Sequence, residues 1–125
     1  MKKFIQDFPI HIKKSIPDFK DFEFKFDQIN KIIISGMGGS AIAGMILKDI
    51  FPELELVIER NYFPNTSIDE NTLIISCSYS GNTEETLSYY DYAARLTEHV
   101  IVLTTGGELL KKAKKDGIKY QLLPT

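Results

Sequence analysis

The sequence predicts an α/β fold: a doubly wound, five-stranded parallel sheet in three α/β/α layers. Three observations predict it. Short β-branched apolar runs recur along the chain, each is followed by a turn-rich or helical segment, and two of the strand-to-helix junctions are rich in Gly and Ser. The first strand is the run Ile32, Ile33, Ile34, ended by Ser35 and Gly36; an uninterrupted run of this kind suits a strand buried on both faces. Residues 41–50 read as a helix and 54–59 as the second strand. Residues 60–71, with Pro64, Asn65, Asp69 and Asn71, are turn-rich. The third strand is 72–76, followed by a helix over 83–96 with Thr83 as N-cap and Glu84 and Glu85 in its first turn. The fourth strand is 100–103. A third core helix, 107–115, is closed by Gly117, and 119–123 forms a short fifth strand.

Residues 1–30 have a different character and are expected to form a helical and extended appendage to a domain of residues 31–125. Pro9 suits the start of a short helix that Pro17 stops, and Phe22, Phe24 and Phe26 alternate with charged residues as in an extended segment.

Right-handed crossovers restrict such a chain to a doubly wound sheet, and the strand order expected of it is flavodoxin-like, 2-1-3-4-5. The chain then changes winding direction between strands 1 and 3, and a crevice opens at their carboxyl ends. Ligands of open α/β sheets bind there.

Composition narrows the function. With 15 basic and 17 acidic residues among 125, the net charge of −2 gives no footprint for nucleic acid or an anionic membrane surface. A single Cys excludes a disulfide framework and a Cys-based zinc site, and two His far apart in sequence do not suggest a metal centre. No run of about 18 apolar residues is present, and the start, with Gln6 and Asp7 soon after Lys2 and Lys3, does not resemble a secretory leader. The expectation is a cytoplasmic protein with Cys77 reduced.

The two junctions at the crevice carry the chemistry. After strand 1 runs Ser35-Gly36-Met37-Gly38-Gly39-Ser40-Ala41; after strand 3 runs Cys77-Ser78-Tyr79-Ser80-Gly81-Asn82-Thr83. Each leads into a helix N-terminus, where unpaired N–H groups and a partial positive charge attract anions without help from Lys or Arg. The glycines let a ligand approach the backbone, and Ser40, Ser78, Ser80 and Thr83 add hydroxyl donors. A phosphate group fits this donor set, whereas either loop alone could simply form a turn and a cap. A rival reading takes residues 36–41 as the dinucleotide fingerprint GxGxxA, with Glu59 as its ribose-binding carboxylate. The hydroxyl cluster of the second loop speaks against it.

With both loops in view, the sequence resembles a SIS (sugar isomerase) domain, and in particular the N-terminal half of bifunctional phosphoglucose/phosphomannose isomerases. GMGGSAIAG at 36–44 and SYSGNTEET at 78–86 carry the resemblance, with support from RNYFP at 60–64 and TGGEL at 105–109. It implies that Ser40, Ser78, Ser80 and Thr83 hold the phosphate of a hexose 6-phosphate, with Gly38 and Gly39 beside the ligand; Tyr79, Asn82, Glu84 and Arg60 are candidates for further pocket residues on their position alone. The implied reaction interconverts an aldose 6-phosphate and fructose 6-phosphate, with no metal or cofactor. It also implies that the catalytic Glu, His and Lys belong to a second half absent from this chain, so no catalytic residue is assigned here. Met45 departs from the family pattern, which more usually has an acidic residue there. The 41–51 helix is apolar on nearly every side, with only Lys48 and Asp49 polar, so a homodimer or a paired second half is one expected cover and the Phe-rich front segment the other. The alternative function is a stand-alone phosphosugar-binding or regulatory module without catalysis.

Other polar residues point to ordinary roles. Glu84 and Glu85 suit a helix dipole. His11 and His99 suit surface or packing positions, Cys77 a small core position, and the lysines at 111–115 a solvated helix end.

Overall fold

The computed structural model describes residues 28–39, 52 and 55–123. Five parallel strands form one sheet: β1 (Lys31–Gly36), β2 (Glu55–Glu59), β3 (Thr72–Ser78), β4 (Val100–Thr104) and β5 (Lys119–Leu122). Two helices are described, α1 (Glu84–Ala93) and α2 (Gly107–Asp116). The strand order is β2-β1-β3-β4-β5, as the sequence predicts.

The three isoleucines of β1 are essentially inaccessible, as a central parallel strand covered on both faces requires. Side-chain alternation divides the sheet into two apolar clusters. Ile33, Ile74, Val100 and Val102 face α1 and α2, packing on Tyr89, Tyr90, Ala93, Leu109 and Ala113. Ile32, Ile34, Leu73, Ile75 and Ile101 point to the opposite face, together with Ile29. The helix expected over 41–50, which would supply the third layer, lies outside the described residues, as do residues 1–27 of the appendage. Ile29 already belongs to the second cluster and the Asn30 N–H donates to Asn71 O, so the described fold begins just ahead of the expected boundary at residue 31.

Element limits differ from expectation in two informative places. β3 runs on to Ser78, because Cys77 and Ser78 pair with β4 residues Leu103 and Thr104. The helix expected to reach residue 96 ends at Ala93: Arg95 N–H bonds to Tyr92 O and Leu96 N–H to Ala93 O, a tightened last turn. Leu96 is half exposed, so no core contact draws the helix onward. Gly117 closes α2 in the left-handed region at φ 67°, the position predicted for it.

Candidate functional site

β1 and β3 are hydrogen-bonded neighbours, with Gly36 in register with Cys77. The turns that leave them are therefore abreast at the carboxyl edge of the sheet, where the crevice was expected. Met37, Gly38 and Gly39 are exposed, and Gly38 takes φ 66°, a left-handed conformation in which glycine carries no Cβ penalty. Ser40 lies outside the described residues.

The β3 turn sorts its hydroxyls into two jobs. Ser78 is buried; its Oγ accepts the Gly81 N–H at 3.0 Å and pairs with Thr83 Oγ1 at 3.0 Å. Two hydroxyls joined by one hydrogen bond spend one proton between them, so the Ser78–Thr83 pair retains a single O–H for a ligand. Ser80 is exposed, and its Oγ accepts the Asn82 N–H at 3.1 Å, which leaves its own proton to donate. Thr83 occupies the N-cap position of α1 without bonding back onto the helix. The first-turn amides of α1 thus receive no cap from it and present the donor-rich end that suits an anion.

The residues expected as further pocket groups are placed unequally. Tyr79 is exposed beside Ser80, and its carbonyl oxygen accepts from both the N–H and the hydroxyl of Thr105. Asn82 turns the other way: its Oδ1 accepts the Glu108 N–H at 3.0 Å and so caps α2, whose own N-cap residue is Gly106. Glu84 opens α1 and accepts from the Tyr62 hydroxyl at 3.3 Å. The Glu85 charge first, then desolvation and the Glu84 charge, raise the Tyr62 phenol above its ordinary pKa. Arg60 follows β2 and is exposed, one strand beyond β1. His99 comes just before β4, at the opposite pole of the sheet, and is the one histidine among the described residues. Burial pushes the Cys77 thiol up, in keeping with a packing role.

Glu59 decides against the dinucleotide reading. It is buried, and its two carboxylate oxygens accept the N–H groups of Asn65 at 2.8 Å and Thr66 at 2.9 Å. Burial alone would raise its pKa, but these hydrogen bonds outweigh that and hold it below the ordinary glutamate value. The carboxylate that a ribose would need is committed to folding the segment after β2. Tyr89 lies beside it, and burial first, then the Glu59 charge, pushes the Tyr89 phenol strongly up.

Two features of this edge escape the sequence reading: the capping of α2 by Asn82, and the clamp at Glu59. A signal for the first is present. α2 begins behind Gly106 and Gly107 with no Ser, Thr, Asp or Asn at its N-cap, so its first amides must find acceptors elsewhere. Among the described residues no cluster of His, Cys, Asp and Glu could hold a metal ion. Nor is any described helix long and apolar enough to cross a membrane.

Comparison with known proteins supplies the family. No family model matches the chain. It is similar to the bifunctional phosphoglucose/phosphomannose isomerase of Caldicellulosiruptor bescii, at 36% identity over 126 residues, covering 97% of the chain and 37% of that protein. It is equally similar to the D-glucosamine-6-phosphate 4-epimerase of Sulfolobus acidocaldarius, at 36% identity over 124 residues, covering 98% of the chain and 37% of that protein. The fold is similar to the C-terminal domain of glucosamine-fructose-6-phosphate aminotransferase from Francisella tularensis, with TM-score 0.67 and 18% identity over 98% of the chain and 39% of that structure. The chain thus spans little more than a third of the length of the curated relatives it matches. In sequence it is homologous to one portion of the bifunctional phosphoglucose/phosphomannose isomerases, and its fold is that of sugar isomerase (SIS) domains.

Proposed function

We propose that this chain is the phosphate-gripping lobe of a cytoplasmic aldose–ketose isomerase that interconverts glucose 6-phosphate or mannose 6-phosphate with fructose 6-phosphate. The observation that carries the reading is the pairing of Gly36 with Cys77, which sets a glycine turn beside a hydroxyl turn at a helix N-terminus. Gly38, Gly39, Ser40, Ser80, Thr83 and the first amides of α1 then surround the phosphate, with Ser78 bracing Thr83 from beneath. Each hydrogen bond to a charged group is worth roughly 1.5–3 kcal/mol, so a few such donors suffice without a cationic side chain. The names of the two relatives share a phosphorylated hexose while differing in the reaction, which suits a lobe that grips the phosphate and leaves the chemistry to other groups.

Isomerisation moves a proton between C1 and C2, at the far end of the sugar from a phosphate on C6, and opening the ring needs an acid. In this reading those groups come from a second lobe. A titration with fructose 6-phosphate, repeated on Ser80→Ala, tests the phosphate role; a loss of about tenfold is expected. A coupled isomerase assay on residues 1–125 should show little or no turnover, and full activity would refute the division of labour.

The second reading is a phosphosugar-binding module without catalysis. Full-length protein that binds fructose 6-phosphate yet never isomerises it would decide for this reading.

A further inference from the structure

The turns after β3 and β4 are tied together by four hydrogen bonds that all run in one direction. Thr105 donates its N–H and its hydroxyl to Tyr79 O, Glu108 N–H donates to Asn82 Oδ1, and Leu109 N–H donates to Gly81 O at 2.8 Å. Every donor belongs to the β4 side and every acceptor to the β3 side. The fit is close as well: a Cβ on Gly107 would overlap Ser80 O, and one on Gly81 would overlap Gly106 O.

The direction has a consequence for the anion site. A trans peptide is planar, so its C=O and N–H point opposite ways. The Tyr79 carbonyl, drawn towards β4 by Thr105, shares its peptide plane with the Ser80 N–H. That amide is therefore turned away from β4. In the order β2-β1-β3-β4-β5, the side of β3 away from β4 is the side of β1 and its glycine turn. We propose that Thr105 is a positioning residue of the phosphate site: by holding the Tyr79 carbonyl, it aims the Ser80 amide into the seam between the β1 and β3 turns, where that N–H donates to the sugar phosphate. This rests on the phosphosugar reading above and adds to it a specific backbone donor and the side chain that orients it.

The test uses the full chain, fructose 6-phosphate, and the variants Thr105→Val and Thr105→Ser. Valine keeps the shape and removes the hydroxyl; serine restores it. Calorimetric titration should show affinity weakened by about fivefold in Thr105→Val and recovered to within about twofold of wild type in Thr105→Ser. Amide NMR adds a readout that loss of fold would not mimic: the Ser80 N–H signal should move downfield as the ligand is added, and move less in Thr105→Val. Wild-type affinity in Thr105→Val, or failure of serine to rescue, overturns the proposal. If Ser80→Ala abolishes binding but the Ser80 amide of wild type stays still on ligand addition, the phosphosugar reading stands and this inference falls. If wild type does not bind fructose 6-phosphate at all, the reading fails and the inference with it.

Discussion

At Gly38 and Gly39, after β1, an added Cβ would meet none of the described residues within 4 Å, whereas at Gly81, after β3, it would overlap the Gly106 carbonyl oxygen. Two turns at one edge of one sheet thus use the same residue type for different reasons. The β3 turn is glycine-dependent because its neighbour presses against it: Gly81 also has φ 76°, and its N–H and C=O are both taken, by Ser78 and Leu109. Among the described residues nothing crowds the glycines of the β1 turn, the arrangement needed if a ligand is to lie against the backbone. A scaffold turn and a ligand turn can look alike in sequence and differ in what surrounds them.

The largest effect should come from Gly81→Ala. A side chain forced both into the left-handed region and into backbone should cost about 3 kcal/mol or more, read as a lowered midpoint in chemical denaturation. Gly39→Ala should stay within about 0.5 kcal/mol of wild type, and equal losses in the two variants would break the comparison.

Next comes Glu59→Ala, which strips the acceptors from the Asn65 and Thr66 amides and should destabilise by about 2–3 kcal/mol. The pH dependence follows from the depressed carboxyl. The stabilisation is fully present above the unfolded glutamate value of about 4.3 and disappears as pH falls through the lower folded value. Glu59→Gln should therefore flatten the acid limb of the stability–pH curve, and an unaltered limb would place the acid sensitivity elsewhere.

Smaller in energy, and more telling for function, is the ligand response of Gly39→Ala. Its Cβ should displace the sugar phosphate and weaken fructose 6-phosphate binding by about tenfold while leaving the fold intact. A fully binding Gly39→Ala protein would make the glycine a turn residue only. Ser78→Ala sharpens the contrast from the other side. It should lower stability by about 1–2 kcal/mol through the Gly81 amide it leaves unpaired, whereas Ser80→Ala should leave denaturation unchanged.

The fold was legible because periodicity reports burial directly. Ile32–Ile34 announced a strand buried on both faces, and the spacing of strands and helices pointed to a doubly wound sheet, whose flavodoxin-like order the structure has. The adjacency of the two turns followed from that order. What the sequence concealed lies between elements distant along the chain. Asn82 reads as a pocket residue because it stands in the hydroxyl turn, yet its side chain serves α2 across a separation of 26 residues. Glu59 reads as a ribose ligand because of its spacing from the glycine turn, yet local amides claim both its oxygens. Ser78 and Ser80 look equivalent as hydroxyls two apart, but the first is still in β3, facing inward, and only the second is exposed. Spacing shows which residues can meet, and the competition among acceptors determines which of them do.

The central claim is that a sugar phosphate is captured by amides and hydroxyls where the β1 and β3 turns run side by side. It is tested most directly by calorimetric titration of the chain with fructose 6-phosphate and, in parallel, with unphosphorylated fructose, on wild type and on Ser80→Ala. The account predicts saturable binding of the phosphate ester alone, weakened about tenfold in the variant. Equal binding of fructose, or an affinity untouched by the loss of the Ser80 hydroxyl, would contradict it.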